Sequence, residues 1–147
     1  MNRIENTIDL HRNHGLNCAQ ALLTAFGPPL GIDPNEARML GRSLAGGIGH
    51  RADTCGYLTA ACLILAKAFD QPDENKARKS TFAAMAELFE KFEQIRGSAN
   101  CRDLLGADMS TEEGKKKIAE QDLVTQICKS DNGIGHDVAE ILDVMVS

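Results

Sequence analysis

Aromatic side chains are scarce in this chain: they make up 4 % of 147 residues, with no tryptophan and a single tyrosine. A core built instead from Ala, Leu and Ile favours packed helices over a β-sandwich, whose strands draw on β-branched and aromatic residues. No apolar run reaches the ~18 residues that a membrane span requires. The first residues, Met1 to Asp9, carry Glu5 and Asp9 and no apolar signal-peptide core. Positive charge is not in excess: the formal net charge is −5 and the pI about 5.3. That leaves no electrostatic footprint for nucleic acid or an anionic lipid surface. The C-x-x-C spacing is missing too, which removes a zinc ribbon, a thioredoxin motif and a c-type haem attachment. No strand-like alternation, internal repeat or low-complexity segment interrupts the chain. No Ser-His-Asp or paired-carboxylate arrangement stands out.

What is present is ordinary in bulk and unusual in detail. Hydrophobic residues are 43 % and charged residues 25 %, as in a globular protein. The length suits one domain over residues 1–147 with a real core. Five cysteines stand at positions 18, 55, 62, 101 and 128. With no membrane span and no signal-peptide core the chain is expected to be cytoplasmic, and an odd number in such a reducing compartment argues against a structural disulfide frame. Any site these thiols form must be assembled from distant segments.

The stretch Gly46-Gly47-Ile48-Gly49-His50-Arg51-Ala52-Asp53-Thr54-Cys55-Gly56 is the centre of the pattern. Three glycines in four residues do not sit in a helix; they supply flexible backbone and close approach. Asp53 or Thr54 then offers a cap, and a long apolar run follows from Tyr57 to Phe69. Cys55 is therefore expected in the first turn of a central buried helix. Free N–H groups and the positive end of the helix dipole favour a thiolate there. The same glycine loop, with Gly46, Gly47, Gly49, His50 and Gly56, is a candidate cradle for a cofactor or anion. It lacks a Walker lysine and follows a helix, so a nucleotide is disfavoured.

In chain order, Asn2 to His14 reads as a first helix with Ile4, Ile8 and Leu10 inward. Asn17 caps a second, Cys18 to Phe26. Asp33-Pro34 starts a third, running to Leu44. Thr54 to Ala68 is the central helix, with Leu58, Ala61, Cys62 and Leu65 as its core stripe. Glu74 to Arg96 is long and amphipathic, with Met85, Leu88, Phe89, Phe92 and Ile95 inward. Asn100 to Leu105 is short. Ser110-Thr111-Glu112-Glu113 reads as a capping box opening a helix to Ile127, which Cys128 closes. His136 to Val146 ends the chain with Val138, Ile141, Leu142 and Met145 as its stripe. The expected fold is an all-α, single-domain bundle of six or seven helices.

The order Asn17-Cys18-Ala19-Gln20-Ala21, glycine loop to Cys55-Gly56, Cys101-Arg102-Asp103-Leu104-Leu105-Gly106, then Cys128 resembles the C_GCAxxG_C_C family of redox-active four-cysteine proteins. The resemblance spans Asn17 to Cys128. The family also looks related to the cluster-binding part of split-Soret cytochromes, which implies an iron–sulfur site. The chain departs from the family pattern at Thr54, at Tyr57, whose bulk would cover Cys55, and at Ala60. Cys62 matches no family cysteine and reads as a core residue.

Cys18, Cys55 and Cys101 all fall at predicted helix N-termini, a placement that packing alone does not explain. Three readings follow. In the first, Cys55 attacks a disulfide and Cys18 or Cys101 resolves it, making the protein a thiol-dependent oxidoreductase. In the second, Cys18, Cys55, Cys101 and Cys128 ligate an iron–sulfur cluster, or less readily zinc, for electron transfer or sensing. In the third, the chain is a helical oligomerisation domain with inert thiols. His50 is either a neighbour that tunes Cys55 or a solvated loop residue. His11, His14 and His136 read as surface residues. The sequence leaves the redox partner, the substrate and any homo-oligomer open.

Overall fold

A computed structural model describes residues 1–147. The chain folds into eight α-helices with no strand. They are α1 (Arg3–Asn13), α2 (Cys18–Phe26), α3 (Pro34–Gly41), α4 (Gly56–Ala68), α5 (Glu74–Arg96), α6 (Cys101–Leu105), α7 (Glu112–Glu120) and α8 (Ile134–Met145). A 3-10 turn at Pro28–Leu30 and a π-helical turn at Val124–Cys128 complete it. The expected all-α bundle is what forms. Its six or seven helices become eight once the five-residue α6 is counted.

The helix starts follow the capping residues. Asn2 and Glu5 form a capping box on α1, and Asn17 and Gln20 form another on α2. In the second, the Gln20 amide donates to Asn17 Oδ1 at 2.9 Å and the Asn17 amide to Gln20 Oε1 at 3.0 Å. Asp33 caps α3, with Pro34 at its first position. Each such cap contributes about 1 kcal/mol.

α4 is the axis of the core. Tyr57, Leu58, Ala60, Ala61, Ile64 and Leu65 are all buried, because α2, α5 and α8 pack around it. Leu22, Leu23 and Phe26 come from α2, Leu88 and Phe92 from α5, and Val138 and Leu142 from α8. α1 lies across α2 and α8, where Arg3 pairs with Asp143 at 2.6 Å. A smaller apolar cluster, Cys101, Leu105, Ile118 and Leu123, sits beside the main core, and Ile127 and Cys128 border both.

Several boundaries differ from the sequence reading. α3 stops at Gly41, short of Leu44. Ser110 does not cap α7: its hydroxyl donates to Asp108, and Thr111 takes the cap, accepting from the Gly114 amide at 2.9 Å. The helix expected to run to Ile127 breaks after Glu120, where Asp122 adopts a left-handed φ of 51°. α8 begins at Ile134 and not His136. On α5, Ile95 faces solvent at 58 % exposure; Ala77 and Ala84 join Leu88 and Phe92 on the buried side. Cys62 is half-buried at the edge of α4, not a core residue in full.

Candidate redox site

Four cysteines that are distant in sequence line one cavity of about 170 Å³: Cys18, Cys55, Cys101 and Cys128. Each arrives on a different element. Cys18 is the first residue of α2, and Cys101 the first of α6. Cys55 is the N-cap of α4 itself, so neither Asp53 nor Thr54 takes that place. Cys128 is the last residue of the π turn, a geometry that recurs at functional sites. Cys62 lies elsewhere.

Backbone contacts hold these segments together. The Cys55 amide donates to the Ala99 carbonyl at 2.8 Å and the Cys101 amide to the Asp53 carbonyl at 2.7 Å. This antiparallel bridge, Thr54 to Asn100, fixes α6 to the entrance of α4. A Cβ at Gly56 would stand 2.5 Å from Cys18 Sγ, so the bare backbone is what admits that sulfur.

The glycine loop is left-handed over most of its length. Gly46, Gly47, Ile48, Gly49 and His50 have φ between 60° and 71°, and Ala52 has 62°. A β-branched residue such as Ile48 rarely adopts this region. The loop is closed by the Ala52 amide on the Gly46 carbonyl and the Asp53 amide on the Gly47 carbonyl, both at 3.0 Å. Gly46, His50 and Gly56 line the cavity. Gly47 is buried under Asp53, where a Cβ would lie 2.5 Å from the Asp53 amide nitrogen. Gly49 is exposed and, like Gly47, does not reach the cavity.

The electrostatics run against a free thiolate. The expectation that a helix N-terminus lowers the Cys55 pKa does not hold: burial pushes it up, and the Tyr57 and Leu58 amides only partly oppose this. Burial raises Cys18 as well, reinforced by repulsion from an ionised Cys55; the Ala19 and Gly46 amides act the other way. Cys101 is pushed up to about 12, by burial first and then by Cys55 and Asp108. Burial also raises Cys128, with Cys55, Cys18 and Cys101 adding to it. A dipole acts through a few amides, whereas loss of water acts on the whole charge, and here the second wins. No lysine or arginine lines the cavity.

The sequence reading placed Tyr57 over Cys55 but missed His11 in this wall. His11 is buried, not on the surface, and Tyr57 and His11 both face the cavity. His11 Nδ1 lies 2.5 Å from the Tyr57 hydroxyl. The available signal was the spacing of His11, seven residues after Ile4 and three after Ile8 on the inward face of α1. His14 is exposed against Asp9, and His136 lies beside Asp137 and Glu140.

The donor set, four thiols around one small cavity, has the chemistry of an iron–sulfur ligand set. A cluster spreads its ligands around a volume, whereas a single tetrahedral ion needs them all about 2.3 Å from one point. No three cysteine, histidine or acidic side chains are placed to share one metal ion. No helix is long and apolar enough to cross a membrane.

Comparison with curated proteins and with solved structures finds no match. Among protein families, the one described as "Putative redox-active protein (C_GCAxxG_C_C)" matches residues 16–143. That span contains all four cavity cysteines and most of the fold, and the chain belongs to the C_GCAxxG_C_C family of redox-active proteins.

Proposed function

We propose that Cys18, Cys55, Cys101 and Cys128 form a single redox centre and that they hold an iron–sulfur cluster for electron transfer or sensing. The observation that carries this reading is the gathering of these four thiols, and not Cys62, around one cavity. Burial, joined by repulsion among the sulfurs at Cys18, Cys101 and Cys128, keeps the four protonated; Lys129 opposes it at Cys128 without overcoming it, so a nucleophilic role lacks sufficient activation of a thiol. Bound iron would place positive charge inside the cavity, which no lysine or arginine lines, and would make the thiolates the stable form.

The chain's own residues then have defined tasks. The Ala19 and Gly46 amides at Cys18, and the Tyr57 and Leu58 amides at Cys55, face sulfur. Such donors tune a cluster's potential. Leu105, Val124 and Met109 form the apolar part of the wall and keep water away from the sulfurs. When bound, the cluster supplies one-electron chemistry. Five free thiols fit a reducing compartment such as the cytoplasm.

A second reading rests on the closeness of Cys18 to the Cys55–Gly56 step. Their two thiols would lose two protons and two electrons to form a disulfide, reducing a partner's disulfide to two thiols. One experiment separates the readings: purification without oxygen, analysis for iron and acid-labile sulfide, and a visible spectrum. The cluster reading expects a brown protein whose colour is lost in each of Cys18→Ser, Cys55→Ser, Cys101→Ser and Cys128→Ser and kept in Cys62→Ser. A colourless protein that takes up no iron and sulfide overturns it. Two thiols lost on oxidation would then support the dithiol reading.

A further inference from the structure

The inner wall of the cavity carries a polar pair that the four cysteines do not explain. Tyr57 is 1 % exposed and His11 8 %. Each is the other's hydrogen-bond partner. Burying a hydroxyl and an imidazole costs more than burying a phenyl ring and a leucine of similar size. α8 is also fitted around the ring. A Cβ at Gly135 would come within 2.6 Å of both the Tyr57 hydroxyl and Cζ. The oxygen is thus anchored from α1 and enclosed from α8, while Tyr57 lines the cavity and its hydroxyl lies close enough to Cys18, Cys128 and Cys55 to feel their charge.

We propose that Tyr57, anchored by His11, is a positioning residue of the redox centre, its hydroxyl donating a hydrogen bond to the sulfur-rich group held in the cavity. The inference rests on the iron–sulfur reading above. The donor roles in the pair are exchangeable. Burial drives the His11 pKa down to about 4, so at neutral pH its imidazole carries one proton on either nitrogen. With the proton on Nδ1, His11 donates to the Tyr57 oxygen, and the Tyr57 O–H is free to turn into the cavity without loss of its anchor. A hydrogen bond to a negatively charged acceptor is stronger than one to a neutral imidazole nitrogen. Negative charge in the cavity therefore selects this arrangement. Reduction adds such charge, so the donor favours the reduced state and raises the potential.

The test is a reductive titration of the iron- and sulfide-loaded protein, followed by its visible spectrum. Tyr57→Phe keeps the ring and removes the donor. It is expected to shift the redox equilibrium about tenfold toward the oxidised state, which lowers the midpoint by ~59 mV for one electron. His11→Leu, which frees the hydroxyl from its anchor, is expected to shift it the same way by less. Cys62→Ser is expected to leave it unchanged. Thermal melts run alongside: water entering a loosened cavity would also move the potential, so the expected result is a shifted midpoint in a Tyr57→Phe protein that melts as the wild type does. A loaded Tyr57→Phe protein with the wild-type midpoint overturns the role of Tyr57 and leaves the cluster reading standing. A wild-type protein that cannot be loaded overturns both.

Discussion

The sulfur of Cys18 lies against the bare backbone of Gly56, where a Cβ would come within 2.5 Å of Sγ and 2.9 Å of the Leu44 carbonyl oxygen. That contact lets the starts of α2 and α4 meet. Gly56→Ala is expected to destabilise the fold by about 1–3 kcal/mol through overpacking and to abolish iron and sulfide uptake. Gly97→Ala is the control. Gly97 has a left-handed φ of 82° but nothing within 4 Å of the new Cβ, so it should cost about 1–2 kcal/mol of backbone strain and leave uptake intact. Melting curves and iron analysis check both.

Thiol reactivity should follow exposure to water and not the helix dipole. In the metal-free reduced protein, Cys62 is half-buried, outside the cavity, and its pKa is pushed up to about 11. Cys101 reaches about 12, and burial raises the other three as well. Alkylation near neutral pH, located by mass spectrometry, is expected to label Cys62 first and Cys55 slowly. Rapid labelling of Cys55 would show that the α4 amides outweigh desolvation.

Metal-free protein should lose stability at alkaline pH. Cys101 ionises near 9 when unfolded and at about 12 when folded. Above pH 9 the unfolded chain therefore binds fewer protons, and stability falls as pH rises toward 12. The other cavity thiols act in the same direction. Denaturant midpoints across this window should show the decline, and it should be smaller in a Cys101→Ala variant.

His11 sets an opposite limb in acid. Burial first, and Lys129 second, lowers its pKa from 6.5 to about 4. Below pH 6.5 the unfolded chain takes up a proton that the folded chain resists. Stability is then lost as pH falls from 6.5 to about 4, by about 3 kcal/mol in all. A His11→Leu variant should show a flatter profile in that window, measured by urea unfolding.

The last helix should contribute packing alone. Leu142 is fully buried, against the core that α4 and α5 supply, and does not line the cavity. Leu142→Ala is expected to cost about 2–5 kcal/mol, with iron uptake and visible spectrum unchanged in the folded fraction.

The sequence by itself determined that the chain is helical and where α2, α3 and α5 start. Asn17 before Cys18, and Asp33 before Pro34, are local signals, because a cap's side chain bonds an amide three residues along the same chain. The apolar stripe of Val138 and Leu142 is equally local, being a matter of 3.6-residue spacing. The sequence also singled out the four cysteines that line the cavity and set Cys62 apart. Only the tertiary structure decided how they meet. The break at Asp122 and the π turn that delivers Cys128 carry no local signature, since a left-handed aspartate is stable only when packing holds it. The thiol pKa values likewise depend on what covers each sulfur. The N-terminal position of Cys55 is written in its neighbours, but its burial is set by α2, α6 and the segment around Cys128 closing over it. His11 reaches the site for the same reason: α1 lies across α2 and α8, and that crossing turns a histidine with no sequence motif into the partner of Tyr57.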